Sequence, residues 1–287
     1  LPLTEVKKIL KTRPTKIRDT EREVVNYNDS LIWLKEQLSK RKFDFDLQLI
    51  LKIHRQVTDG LLPKFQSGKI RSEPVFVNDP KQRKTVYWPP DHQDVPQLLK
   101  NLIHFVAANR NNLDPIILAG IFHKQFVIIH PFIDGNGRTV RLLTKAILAE
   151  LGVDTFYLFS FENYYNRNVS AYFQNVGVRG NYYDIIKRVE YTSWLEYFSG
   201  GILDELMRVR KILEASKKKL NPAEVLSDEQ KKIIKYIEKQ GHIRDKDYAK
   251  LTTRAKATRA LDFKKLVDLG LIERLGRGPA TYYVLKS

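Results

Sequence analysis

HPFIDGNGRTVR, residues 130–141, packs a histidine, a carboxylate, two glycines around an asparagine and two arginines into one short stretch. The residues on either side are helical in pattern. Before it, a helix is expected from about Asp114 to Ile129, with Asp114 capping the first turn and Pro115 at a tolerated position. It should stop at His130, because a residue before proline is pushed out of the helical region. After it, GRTVRLLTKAILAELG forms the next helix, with Gly152 as its C-terminal stop. The stretch is therefore a loop between two helices.

Each residue of that loop has a chemical reading. Gly135 and Gly137 let the backbone turn with positive φ and approach a ligand closely. The helix that follows presents unpaired N–H groups and a positive dipole end, which suits an anion. Arg138 and Arg141, three apart, share a face and can fork onto phosphate oxygens. Asp134 would repel a polyphosphate unless magnesium intervened, a metal that takes one or two protein carboxylates and fills its shell with phosphate oxygens and water. His130, whose ordinary pKa is roughly 6.5, can accept a proton from a hydroxyl. Taken singly, the arginines would normally be a solvated face, His130 is more often a packing or capping residue, and Asp134 has the alternative of an ordinary turn residue. Together they describe a base that delivers a hydroxyl to a phosphate held by magnesium, amides and arginines. The Gly-Lys-Ser/Thr ending of a Walker loop is missing.

The rest of the chain bounds this reading. Its 287 residues suggest about two domains. There are no cysteines, which excludes disulfides, thiol catalysis and cysteine zinc sites. No apolar run approaches the ~18 residues of a membrane-spanning helix, so no membrane partner is expected. The amino terminus lacks a signal-peptide pattern, and a cytoplasmic location fits. The net charge of +17 invites a nucleic-acid reading, and residues 227–287 alone carry a net +7.

Apolar residues three and four apart predict core helices in DSLIWLKEQLSKR, FDLQLILKIHRQVTDGL and VPQLLKNLIHFVAANR. Between them, EPVFVNDPKQRKTVYWPP reads as a β-hairpin around an Asn78-Asp79-Pro80 turn, ended by Pro89 and Pro90. Further helices cover FENYYNRNVSAYFQNV and the segment from Tyr191 to Leu220. The Lys217 to Lys219 run is a solvated helix end, and Asn221-Pro222 marks a domain boundary.

HPFIDGNGRTVR resembles the signature of the Fic family, HPFx(D/E)GNGRxxR, at every specified position. HKQFVIIHPF is similar to the helix before the family's motif, YWPP after a hairpin to its flap, and EREVVNYNDSLIWL to the helix near the start of its core. The resemblance covers residues 1–205. It implies transfer of AMP from ATP to a Ser, Thr or Tyr hydroxyl of a target protein, with release of pyrophosphate. On that pattern His130 is the general base and Asp134 holds Mg²⁺. Asn136 and the amides near Gly135 and Gly137 bind the α-phosphate region, and Arg138 and Arg141 bind the β- and γ-phosphates. The hairpin edge, Lys84, Thr85, Val86 and Tyr87, would align the target segment by strand addition. Tyr87 and Trp88 read equally well as residues that cover the core. Tyr165, Asn166 and Tyr172 are candidate nucleotide contacts, with helix packing as the default, and His123 is a hydrogen-bonded structural histidine rather than a second base. The Doc kinases place lysine where this chain has Gly137, which favours AMP transfer. Phosphocholine transfer and AMP removal stay open.

Many Fic proteins carry an inhibitory (S/T)xxxE(G/N) helix, whose glutamate would here pair with Arg141. Only Thr192 to Glu196 has that spacing, but Tyr197 follows it and the segment reads as a core helix. In members with an N-terminal inhibitory helix, the glutamate comes just before a stretch resembling LPLTEVKKIL. The expectation is a full-length protein self-inhibited by a segment preceding Leu1.

At the C-terminus, Ser227 and Gln230 have capping-box spacing. A short helix around Asp247 to Leu251, a third within TRAKATRALDFKKLVDLG and two strands around a Gly-Pro turn complete a pattern that resembles winged helix-turn-helix modules. Thr253, Arg254, Lys256, Arg259, Arg274 and Arg277 are then candidate DNA contacts, with a protein-docking module the equal alternative. The expected architecture is mainly α: a Fic-type helical bundle with a β-hairpin flap (1–205), a connecting helix and linker (206–226) and a winged helix domain (227–287). ATP is the expected substrate and Mg²⁺ the cofactor. The expected partners are a target protein, DNA through the winged helix, and a second copy of the chain. The competing reading is a DNA-binding regulator whose core senses nucleotide.

Overall fold

The computed structural model describes residues 1, 3–14, 17–40, 44–79, 84–154, 156, 161–219 and 226–286. They form two units, Leu1–Val209 and Arg210–Ser287. The sequence-derived boundary at Asn221-Pro222 and the hairpin turn from Pro80 onward lie outside the described residues.

The first unit is built in chain order from α1 (Leu3–Thr12), α2 (Asp19–Ser39), α3 (Leu47–Val57), the strands β1 (Val77–Asp79) and β2 (Lys84–Trp88), α4 (Val95–Asn109), α5 (Pro115–Ile129) and α6 (Asn136–Glu150). Then come α7 (Phe161–Arg167), α8 (Val169–Val176), the short β3 (Gly180–Asn181), α9 (Tyr182–Ile185) and α10 (Thr192–Lys219). A helix that is apolar all round belongs in the centre, and α5 lies there. Leu118, Ala119, Phe122 and Phe126 on it have no solvent exposure, and it packs against both α4 and α6. Asp114 caps it as expected, with its Oδ1 accepting from the Ile116 N–H at 2.8 Å, and Pro115 occupies the first turn. Amphipathic α3 packs against α6 and buries Ile50, Ile53 and Val57 in the core. The start of α10 brings in Trp194, Phe198 and Ile202, and the Trp194 Nε1 donates to the Gly120 carbonyl at 2.7 Å. Thr192 to Glu196 is therefore the opening of a core helix.

Where one helix was expected across residues 161–176 there are two. Asn168 interrupts it and caps the second, accepting from the Ala171 N–H at 3.0 Å. A short polar side chain that satisfies a free backbone donor favours a new start over continuation.

The hairpin is antiparallel, with Val77 opposite Tyr87 and Asp79 opposite Lys84. A third strand joins it: β3 runs parallel to β2, pairing Tyr87 with Gly180 and Trp88 with Asn181.

The second unit contains α11 (Asp228–Gln240), α12 (Asp245–Tyr248), α13 (Lys256–Asp268) and the antiparallel pair β4 (Ile272–Leu275) and β5 (Tyr282–Leu285). The capping box is formed, with Ser227 Oγ accepting from the Gln230 N–H and Gln230 Oε1 accepting from the Ser227 N–H. It has its own core, including Ile233, Ile237, Tyr248, Phe263 and Leu266.

Candidate active site

The loop between α5 and α6 is held by its own backbone and by two residues that sequence reasoning missed. His130 ends α5, but not in the extended conformation its position before proline suggests. It is left-handed, with φ 48° and ψ 61°. A non-glycine residue there costs about 1–2 kcal/mol, so neighbours must hold it. Arg71 does so: its Nε donates to the His130 carbonyl at 2.9 Å and its backbone N–H donates to the Pro131 carbonyl at 3.0 Å.

The His130 ring has a defined tautomer. Nδ1 lies 3.3 Å from the Val127 carbonyl, which can only accept, so Nδ1 carries the proton and Nε2 keeps its lone pair. Burial pushes the imidazole down to about 4, with nearby Arg71 acting in the same direction. The ring is neutral at pH 7, as a proton acceptor must be.

The other end of the loop rests on His54 from α3. This fully buried ring stacks on Phe132 at 3.7 Å with 5° between planes. Its Nδ1 accepts from the Gly68 N–H at 2.9 Å, so its Nε2 carries the proton and donates to the Asp134 carbonyl at 3.0 Å. Burial lowers its pKa to about 4 as well.

Gly135 adopts φ 79°, and a Cβ there would lie 2.7 Å from the Thr58 methyl. Gly137 is different. It lies inside α6 with no positive φ, and what its missing side chain provides is room, since a Cβ would stand 3.2 Å from Arg141 Nη1. The expectation of positive φ at both glycines is met only at Gly135. Helix α6 makes its first bond from Thr139 N–H to the Gly135 carbonyl. The N–H groups of Asn136, Gly137 and Arg138 therefore precede the helical ladder and have no intrahelical acceptor.

The Asn136 side chain, expected to touch phosphate, bonds within the loop. It is buried and binds the loop to itself: Nδ2 donates to the Phe132 carbonyl at 2.8 Å and Oδ1 accepts from the Phe132 N–H at 3.0 Å. Each end of the amide thus makes one bond to the Phe132 backbone. Arg138 is drawn in by carboxylates, with Nη2 2.7 Å from Asp134 Oδ2 and Nη1 3.3 Å from Glu23 Oε1 on α2. Arg141, half-buried, sets its guanidinium 6.0 Å from the centre of the Tyr27 ring, within range of a cation–π contact.

Other sequence-derived sites are dispersed. Tyr165 and Tyr172 are buried in an aromatic cluster with their ring centres 4.4 Å apart, while Asn166 is exposed. The Tyr172 hydroxyl meets His123 Nε2 at 3.2 Å, and His123 Nδ1 meets Thr144 Oγ1 at 3.0 Å. His123 is the structural histidine expected. The two tyrosines are packed as the helix-packing alternative has it.

In the hairpin, Tyr87 is 3% exposed and its hydroxyl donates to the Ile128 carbonyl at 2.8 Å. It satisfies a free carbonyl at the end of α5 and belongs to the core rather than to an open edge. β3 covers β2 at Tyr87 and Trp88, so the edge without a β3 partner runs from Lys84 to Val86. Trp88 is 40% exposed.

In the second unit, two arginines read as DNA contacts are engaged at home. Arg254 Nη1 bonds both oxygens of buried Asp262, and Arg259 forks onto Asp245 at 2.8 and 2.9 Å. Thr253, Lys256, Arg274 and Arg277 are exposed. Among the described residues, no helix is long and apolar enough to cross a membrane, and no group of three or more His, Cys, Asp or Glu side chains is arranged to hold a metal.

This loop, its two helices and the hairpin define a class. Residues 44–148, which contain the whole loop, match the Fic/DOC family. The fold is that of Fic proteins: a Fic family protein from Desulfovibrio desulfuricans superposes with a TM-score of 0.61 over 100% of this chain and 82% of its own, at 22% identity. Fic-1 (residues 134–508) from C. elegans does so at 0.55 over 75% of this chain and 59% of its own, at 24% identity. In sequence, the chain is 30% identical over 156 residues to protein adenylyltransferase Fic of Drosophila grimshawi and 33% identical over 131 residues to that of Nematostella vectensis. These matches cover 53% and 45% of this chain, and 30% and 29% of the two relatives. The chain thus spans about a third of the length of the curated relatives it matches.

Proposed function

We propose that the protein transfers AMP from ATP to a Ser, Thr or Tyr hydroxyl of a target protein. One observation carries the reading: His130, with Nδ1 turned to the Val127 carbonyl and Nε2 away from it, ends α5 across a short loop from the N–H groups that open α6. In the reaction, His130 Nε2 takes the proton of the target hydroxyl. The hydroxyl oxygen forms a bond to the α-phosphorus, the bond from that phosphorus to the β-phosphate bridge breaks, and pyrophosphate leaves. The amides of Asn136, Gly137 and Arg138 receive phosphate oxygens, and Arg138 and Arg141 hold the β- and γ-phosphates. This orients the α-phosphate for attack in line.

Magnesium fits the residues present. Asp134 is an exposed carboxylate already bound to a cation, Arg138, and a metal that completes its shell with phosphate and water needs no cluster of protein ligands. When bound there, Mg²⁺ would neutralise phosphate charge. The free edge from Lys84 to Val86 would align the target segment by strand addition.

The test compares α-³²P-ATP with γ-³²P-ATP, using the parent chain and His130→Ala with magnesium and candidate targets. Label from the α-phosphate alone, lost in His130→Ala while ATP binding survives, is the expected outcome. Replacing Arg141 with Ala should weaken productive ATP binding. Label from the γ-phosphate, or α-label that survives in His130→Ala, would overturn the assignment.

A further inference from the structure

Arg71 joins the hairpin to the base loop beneath the surface. It lies in the segment between α3 and β1, is 3% exposed, and its guanidinium is satisfied by backbone carbonyls. Nε donates to His130 O at 2.9 Å, Nη1 to Glu73 O at 3.2 Å and Nη2 to Pro90 O, just beyond β2. Its own N–H donates to Pro131 O, so one residue holds two consecutive carbonyls of the loop and one at the foot of the hairpin. Burying a cation is expensive unless hydrogen bonds replace its water, and here the replacement comes from main chain whose position matters to the site.

We propose that Arg71 is a positioning residue of the transfer site. It holds His130 in its left-handed turn, which aims Nε2, and it ties that turn to the hairpin, so that the target-docking edge and the base keep one fixed geometry. The proposal rests on the AMP-transfer reading above. Two features make it more specific than ordinary packing. The backbone conformation at His130 is one that an unrestrained residue leaves, and the hydrogen bond from Arg71 is made to that residue's own carbonyl. The hairpin is also fastened to the same helix end by Tyr87, whose hydroxyl bonds Ile128 O. The guanidinium thus adds a link from the foot of the hairpin to the loop beside the one that Tyr87 makes to α5. A lysine would keep the charge, but its compact ammonium lacks the planar fork whose Nε, Nη1 and Nη2 reach the three carbonyls.

The experiment uses the full chain as Arg71→Lys and Arg71→Gln, each checked for folding by circular dichroism. Three quantities are read: the Kd for Mg-ATP, the kcat and KM of α-label transfer, and the long-range ¹H–¹⁵N signals of the His130 ring, assigned by their loss in His130→Ala. Displaced His130 signals are expected, together with ATP affinity within about threefold of the parent and a kcat lower by about tenfold or more. Parent-like kcat and unmoved ring signals in a folded variant would overturn the proposal. So would a kcat that falls in step with ATP affinity while the ring signals stay in place, since Arg71 would then serve the fold alone. If the parent chain transfers no α-label, the functional reading fails, and the ring signals still decide whether Arg71 positions His130. Should one variant not fold, the other is judged by the same measures.

Discussion

At the scale of single residues, the loop depends on buried polar groups whose tautomers are dictated by backbone. His54 shows the energetic consequence. Its ring accepts from one N–H and donates to one carbonyl, so a second proton would set two donors against each other at Gly68. Folding lowers its pKa from the ordinary 6.5 to about 4. Between those values the unfolded chain binds a proton that the native chain does not, so stability is complete above pH 6.5 and falls as the pH is lowered toward 4. The loss attributable to His54 is about 3 kcal/mol, taking ~1.4 kcal/mol per pH unit. His130, also lowered to about 4, adds to the slope over the same range, so urea unfolding between pH 7.5 and pH 4.5 should show both, and His54→Asn, less stable at neutral pH, should show a shallower slope. An equal slope in the variant would place the titrating group elsewhere.

At the scale of elements, the turn into α6 separates two costs that a glycine can avoid. Gly135 and Gly152 both have positive φ, at 79° and 91°, on either side of the same helix. A Cβ at Gly152 meets nothing within 4 Å, whereas at Gly135 it would lie 2.7 Å from the methyl of buried Thr58, itself bonded to His54 O and Ser67. Gly152→Ala should therefore lose about 1 kcal/mol of backbone energy, and Gly135→Ala should lose about 2–3 kcal/mol and also weaken ATP binding. Urea midpoints and ATP titrations of the two variants check this. Equal losses would mean that Thr58 yields freely.

At the scale of the whole molecule, the second unit has its own core, its own capped helices and a closed polar cluster in which Gln230, Tyr248 and Arg254 all bond Asp262. A fragment of residues 222–287 should therefore fold alone, with a single cooperative thermal transition. Read as a winged helix that docks on duplex DNA, it would use exposed Thr253, Lys256, Arg274 and Arg277, and its affinity would fall steeply as salt rises. With Arg254 and Arg259 committed to Asp262 and Asp245, replacing either arginine should cost stability before it costs binding. Absent or salt-insensitive binding would instead favour a protein-docking role.

Much of the protein was legible in the chain because the deciding signals are local. The caps of α5 and α11, the apolar periods of the core helices and the crowding of HPFIDGNGRTVR act through residues within a turn or two of one another. The loop and the helix order follow from such short-range constraints. What tertiary structure alone decided is which polar groups are free. Asn136 bonds the backbone of Phe132, and Tyr87 bonds the Ile128 carbonyl. Tyr165 and Tyr172 went to the core for the apolar surface of their rings. Arg71 and His54 lie 59 and 80 positions from the atoms they hold, and neither gave a local sign of that role. His54 sits among Ile50, Ile53 and Val57 on the apolar face of α3, which is also what a packing histidine would do. Hydrogen bonds across such separations depend on how helices close on each other, and no window of sequence contains both partners.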